Sequence, residues 1–308
     1  VSHDSLLWGI DLGGTKIEAA IMRHDQPGEA LFRLRRDTEA SCGYDHIVRN
    51  IALLIAEMEQ VSGHCRPECI GIGTPGVIDP PTGSLKNSNT TCLNGRPLRA
   101  DLTASLGCDV LMANDANCFA LAEATCGAAS GEEVVLGLIL GTGVGGGIVV
   151  RGKSLHGLHG IAGEWGHNPM RGEDHPCYCG RRGCIETVIA GPSLERYHCE
   201  HGGNPVRLPE ICRLAAAGDP IASNTLNRLR EKFSEAIAAV INILDPDAIV
   251  IGGGVGNIPL LYEPATRKAI LGHLFNAELK TKILPPRLGD SAGVFGAALL
   301  NQTKEQHS

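Results

Sequence analysis

The 308 residues carry 27 Lys+Arg against 34 Asp+Glu, a formal net charge of −7, and no basic run longer than a pair, which argues against a surface built to hold nucleic acid. With 43% hydrophobic and 20% charged residues the chain has the makeup of an ordinary globular protein with room for two domains. It contains no stretch near the ~18 consecutive apolar residues of a membrane span.

Along the chain, three apolar strands run into glycine. The first, L-L-W-G-I-D-L-G-G-T-K at residues 6–16, reads as strand, turn and return strand I-E-A-A-I-M. Such a turn is either a plain hairpin or a place where backbone amides, Thr15 and Lys16 grip phosphate while Asp11 faces the accompanying metal. An amphipathic helix is predicted over 47–59, and Gly71–Gly76 spells G-I-G-T-P-G. This run matches G-x-G-x-x-G, as does Gly141–Gly146, but a dinucleotide site needs a helix straight after the glycines. Proline-bearing and β-branched segments follow instead. Residues 79–99 are rich in Pro and Asn and read as a loop too polar for the core.

The strand V-L-M-A at 110–113 runs into Asn114-Asp115, followed by a helix ended by Gly127. Asp115 reads as an N-cap, and its place at a helix start also suits an ionised carboxylate that takes a hydroxyl proton. The second glycine run, V-V-L-G-L-I-L-G-T-G-V-G-G-G, occupies 134–147. A long helix over 221–244 stops at Asp245-Pro246, and the third run, A-I-V-I-G-G-G-V-G, ends at 256. Recurrence of the strand-to-glycine design favours a phosphate or nucleotide role for all three.

Between the second run and the long helix, residues 164–186 read E-W-G-H-N-P-M-R-G-E-D-H-P-C-Y-C-G-R-R-G-C-I-E. His167 with Cys177, Cys179 and Cys184 would fill a tetrahedral zinc shell and leave no position for a catalytic water, so the metal would be structural. A reduced C-x-C pair with an unrelated histidine is the plainer alternative, and His175 is a rival ligand to His167. Glu164 and Glu186 flank the knot, and carboxylates that only accept hydrogen bonds suit a hydroxyl-rich ligand. Of the twelve cysteines, the rest lie scattered in periodic segments and read as reduced thiols of a cytoplasmic protein.

With D-L-G-G-T-K, N-D-A-N, G-T-G-V-G-G-G, G-E-W-G-H and C-Y-C-G-R-R-G-C-I-E in that order, the chain resembles the ROK family of bacterial sugar kinases over nearly its whole length. L-K-N-S-N-T-T-C-L-N-G-R-P-L, G-E-W-G-H-N-P and N-I-L-D-P-D-A-I-V-I-G-G-G look most like the fructokinase and mannokinase branch, and Trp165 stands where Phe is associated with N-acetylglucosamine kinases. The resemblance implies an α/β, actin-like ATPase (ribonuclease H-like) fold with a structural zinc loop. A smaller lobe over 1–113, a larger one over 114–290, a cleft between them and a C-terminal helix near 291–308 that packs back on the small lobe are expected.

By the same resemblance Asp115 is the general base. Asn87, Asn114, Glu164, His167 and Glu186 bind sugar, and His167 also ligates zinc with Cys177, Cys179 and Cys184. ATP phosphates would meet Gly13, Gly14, Thr15 and Lys16, and also Gly141, Thr142, Gly143, Gly145 and Gly146. The base would approach Gly252, Gly253 and Gly254, and Asp11 would hold Mg²⁺. The implied activity is transfer of the ATP γ-phosphoryl group to a sugar 6-hydroxyl, fructose first, with N-acetylglucosamine kinase or glucokinase as alternatives, in a homodimer. The family also holds transcriptional repressors with a helix-turn-helix ahead of the first phosphate turn. Here eight residues precede Gly9, which disfavours that reading.

Overall fold

The computed structural model describes residues 6–302. Leu6–Leu12 (β1) turns into Lys16–Arg23 (β2), as the first glycine run predicts, and Ala30–Asp37 (β3) pairs with β2. Tyr44–Ser62 (α1), Cys69–Thr74 (β4), the short strands Val77–Ile78 (β5) and Leu85–Lys86 (β6), Leu98–Leu106 (α2), Asp109–Asn114 (β7) and Asp115–Thr125 (α3) follow. Then come Val134–Leu140 (β8), Val144–Val150 (β9), Lys153–Ser154 (β10), Glu186–Ile189 (α4), Gly191–Glu200 (α5), Leu208–Ala216 (α6) and Pro220–Leu244 (α7). Ala248–Gly252 (β11), Gly253–Gly256 (α8), Pro264–Leu271 (α9), Lys282–Leu284 (β12) and Ala292–Leu299 (α10) complete the series.

The chain packs as two compact units. One holds residues 6–131, Gly147–Ala162 and residues 287–302; the other holds Glu132–Gly146 and Gly163–Pro286. This division differs from a boundary at 113/114, because α3 packs on α10 and on β10 and so belongs to the first unit.

In the first unit a mixed sheet has the order β3-β2-β1-β4-β7, antiparallel across β3, β2 and β1 and parallel across β1, β4 and β7. Ile47, Ile51, Leu54, Ile55 and Met58 of α1 are completely buried in one core with Ile10, Ile17 and Ile72, the stripe expected from 3.6-residue periodicity. Side chains alternate across a strand, so Gly9, next to Ile10, belongs to the other face. There Gly9 and Gly71 are register partners. A Cβ on Gly9 would stand 2.3 Å from the Val294 carbonyl oxygen, and one on Gly71 only 1.7 Å from that of Ala297. Bare backbone on the sheet is what lets α10 lie against it. Gly71→Ala is therefore expected to destabilise the protein by about 3 kcal/mol, the upper range for overpacking, since the obstacle is main chain rather than a flexible side chain. Chemical denaturation reads this directly, and a loss below about 0.5 kcal/mol, the range of an ordinary surface change, would mean that the helix can retreat freely.

The segment 79–99 departs from its reading as a loop too polar for the core. Leu85, Leu93 and Leu98 are fully buried, and Ser88 and Thr90 nearly so, because the loop folds down through β6 and a 3₁₀ turn at Thr91–Leu93. Its polar residues bond one another: Asn94 donates to the Ser88 carbonyl and accepts from its amide, both at 2.9 Å.

In the second unit β11 lies between β8 and β12, all parallel, and β8 turns at Gly141–Gly143 into the start of β9. The long helix α7 begins after Asp219, whose Oδ1 accepts from the Ala222 amide at 2.7 Å, and ends at Asp245 in left-handed conformation. Helix α7 packs on α4, α5, α6 and α9. Among the described residues no helix is long and apolar enough to cross a membrane.

Candidate active site

The first unit carries one set of the expected residues. Gly14, Thr15 and Lys16 are exposed in the β1–β2 turn, which closes through a Gly13 amide donating to the Lys16 carbonyl at 2.9 Å. Thr38 holds this turn from behind. Completely buried, it donates its hydroxyl to the Gly13 carbonyl at 2.7 Å and its amide to the Thr15 carbonyl at 2.9 Å. No motif marked Thr38 in the sequence; its only signal is position, one residue past the end of β3.

Asp11 lies beneath the turn. A Cβ on Gly293 would come within 2.7 Å of Asp11 Oδ2, so α10 must be bare at that point to admit the carboxylate. Burial, then the charges of Asp115 and Glu18, push the Asp11 carboxyl up to about 7, with Arg35 pulling the other way. Asp115 is thus close enough to be felt by Asp11. Two neighbouring carboxylates make an all-oxygen donor set, which suits a hard cation such as Mg²⁺.

The cap of α3 is Asn114, not Asp115: Asn114 Oδ1 accepts from the Asn117 amide at 2.8 Å. Asn114 is in β conformation while Asp115 has already entered the helix, so only the former can reach the third amide. Asp115 Oδ1 accepts from the adjacent Ala116 amide at 2.8 Å. Its carboxylate reaches solvent at the helix start but is walled by protein on most sides, and that desolvation raises its pKa, offset in part by the amides. The helix thus presents a base that a cap does not consume. Asn87 is exposed at φ 59°, a left-handed conformation in which few residues other than Gly and Asn settle.

The second unit carries the rest. The Gly141–Gly143 turn closes through the Gly141 amide donating to the Gly143 carbonyl at 2.9 Å; Thr142 is exposed, and Gly145 lies within β9. Gly146 is buried where a Cβ would strike the Gly163 carbonyl at 2.5 Å, so its role is close packing rather than ligand contact. Gly252 ends β11 buried, Gly253 takes φ 84° against the Leu140 carbonyl, and Gly254 is exposed.

Glu164 precedes a 3₁₀ turn at Trp165–His167, and Glu186 opens α4. Tyr178, although mostly exposed, senses both: partial desolvation of its phenol first, then Glu186, Cys177 and Glu164, push it up to about 12. The ligand atoms of His167, Cys177, Cys179 and Cys184 all lie within 4.8 Å of one another. Cys179 Sγ and Cys184 Sγ are 3.7 Å apart, and Cys177 Sγ lies 3.6 Å from His167 Nδ1. A tetrahedral zinc with bonds of about 2.3 Å to sulfur has edges of about 3.8 Å, so these residues fit the ion. Nδ1 is the nitrogen that faces the cluster, and Nε2 meets the Tyr178 hydroxyl at 3.1 Å. His175 is outside the four; its carbonyl accepts from the Gly183 amide. The loop is fastened to α7 by Glu173, which accepts from Arg228 at 2.7 Å and pairs with Lys232 at 3.1 Å.

The model of the ROK family matches residues 7–304. An N-acetyl-D-glucosamine kinase of Photobacterium profundum is 38% identical over 97% of this chain and all of its own length. An enzyme of the same name from Escherichia coli is 36% identical over 97% of this chain and 100% of its own. Among solved structures, a ROK hexokinase from Thermus thermophilus superposes with a TM-score of 0.88 at 34% identity, covering 99% of this chain and 100% of that one. The chain therefore belongs to the ROK family. It is a sugar kinase of that family, with the actin-like ATPase fold.

The two named enzymes are N-acetyl-D-glucosamine kinases rather than fructokinases, and the residues that gave the fructokinase likeness are in part core residues. Trp165 is 4% exposed, with its ring edge set against Gly146, so Trp or Phe there fills the core and does not face a sugar. The likeness across 85–98 likewise includes the buried anchors Leu85, Leu93 and Leu98.

Proposed function

We propose that the protein is an ATP-dependent N-acetylglucosamine kinase acting on the 6-hydroxyl. The observation that carries this reading is full-length similarity to enzymes of that name from two organisms. The site chemistry supports it. Asp115 accepts the proton of the attacking hydroxyl, and its raised pKa places it closer to neutrality, where a general base is most effective. Glu164 and Glu186 accept hydrogen bonds from ring hydroxyls, and His167, Asn114 and Asn87 complete the sugar contacts. Thr15, Lys16 and the amides of the exposed turns at Gly13–Lys16 and Gly141–Thr142 bind phosphate oxygens, with adenine near Gly252–Gly254. When bound at Asp11, Mg²⁺ supplies charge neutralisation to the phosphoryl group in a loose transition state. Zinc at His167, Cys177, Cys179 and Cys184 fixes the loop that carries the two glutamates. Use of ATP supports a cytoplasmic enzyme, and the family resemblance supports a homodimer.

A coupled ADP-release assay over fructose, mannose, glucose and N-acetylglucosamine is expected to give the highest kcat/KM for N-acetylglucosamine, with the product carrying phosphate on O6 by NMR. A higher kcat/KM for fructose would return the enzyme to the fructokinase branch. No turnover of any sugar would remove the kinase reading.

A further inference from the structure

The glycines of the G-T-G turn all look alike in the sequence, as phosphate contacts. Their surroundings differ. A Cβ built on Gly141 meets no other atom within 4 Å among the described residues, so this glycine borders open space. A Cβ on Gly143 would stand 2.7 Å from Glu186 Oε2 and 3.6 Å from its Cδ. That same oxygen accepts from the Val144 amide at 2.9 Å. Glu186 is also tied down at its main chain, where its carbonyl accepts from Ser193 Oγ at 2.8 Å, and Gly191, just beyond α4, donates to the Gly141 carbonyl at 2.8 Å.

We infer that the turn is divided in labour: Gly141 and Thr142 face the nucleotide, while Gly143 and the Val144 amide seat the Glu186 carboxylate and so set sugar affinity. An amide that already holds a carboxylate is closed to a phosphate oxygen, and two anions at one donor would repel. Oε2 is committed to the turn, which leaves Oε1 and the remaining lone pairs for sugar hydroxyls. Gly143 acts through Glu186 and is a positioning residue; its lack of a side chain is what permits the carboxylate to sit there. The assignment rests on the reading of Glu186 as a sugar ligand in an ATP-dependent kinase.

The test compares Gly143→Ala, Gly141→Ala, Glu186→Ala and the Gly143→Ala/Glu186→Ala double variant, with KM for N-acetylglucosamine and for ATP measured separately. Neither glycine has a positive φ, so alanine is conformationally allowed at both. Gly143→Ala is expected to raise the sugar KM by roughly tenfold with the ATP KM changed less than about twofold, and Gly141→Ala to do the reverse. In the Glu186→Ala background, adding Gly143→Ala should change the sugar KM by less than about twofold, the non-additivity of two residues that act as one. A rise in the ATP KM alone for Gly143→Ala, or full additivity with Glu186→Ala, would overturn the assignment. A measurement that needs no variant is the Val144 amide resonance of the wild-type protein. It should move on adding N-acetylglucosamine alone, and movement only with ADP would overturn the assignment as well. Failure of the wild type to phosphorylate any hexose is a separate result, which removes the kinase reading rather than the geometry of the turn.

Discussion

Asp115→Asn is expected to lower kcat by ~10²-fold or more while leaving KM for sugar and ATP within a few-fold, because a positioned general base contributes about 10² to 10⁴. The substitution is clean here. Asn114 caps α3, so the helix start survives the change, and the amide keeps the shape of the carboxylate. Thermal unfolding should accordingly shift little. The wild-type pH profile supplies a second readout. Desolvation raises the Asp115 pKa, so its protonated form persists to higher pH than in an ordinary aspartate. The ionised form is the active one, and kcat/KM must fall as pH is lowered through that raised value. Asp11, pushed up to about 7, titrates in the same limb, so Asp115→Asn should lower the rate throughout and leave only the part of the acid limb that belongs to Asp11. An Asn variant with activity within threefold of wild type would assign Asp115 a structural role only.

Removal of one thiolate from the cysteine cluster is expected to be nearly as damaging. Cys184 is completely buried, and Cys184→Ala takes away one of four ligands whose geometry fits zinc. The wild type should carry one zinc per chain by elemental analysis, and the variant none. Sugar kcat/KM should fall by roughly 10²-fold, since loosened support of a metal loop typically costs 10- to 100-fold. Far-UV circular dichroism should change little, because Glu173, Arg228 and Lys232 continue to fasten the loop to α7. Full metal content and unchanged kinetics in the variant would dismiss the four-ligand assignment.

What could be read from the sequence was whatever has a local period or spacing. The three strand-to-glycine runs, the stripe of α7 and the His-Cys-Cys-Cys spacing each depend on residues within one segment, and each appears in the structure where that pattern placed it. Features that depend on distant residues were not legible. Gly146 was read as a phosphate contact and nothing marked Gly9 or Gly71 as packing positions, yet each is a glycine because backbone from elsewhere passes within 2.5 Å of its missing Cβ. Thr38 supports the first turn across a distance in sequence that no motif spans. Asp115 looked like the cap because aspartate is a good cap, and only backbone conformation shows that the preceding asparagine has that position. Trp165 was read as a mark of the sugar for the same reason: it sits inside the core, and sequence does not say which way a ring faces.

The placement of α10 also governs when the protein can become whole. The sheet face at Gly9 and Gly71 is met by a helix made after residue 291, whereas residues 163–286 of the second unit are continuous. During synthesis the second unit can close while the first still exposes one face of its central strands. Contacts of such long sequence separation form slowly, and an open sheet face invites association with other chains in the interval. A ribosome stalled before α10 would therefore display a finished zinc loop together with an unfinished Asp115 half, and this intermediate is the one most in need of a chaperone.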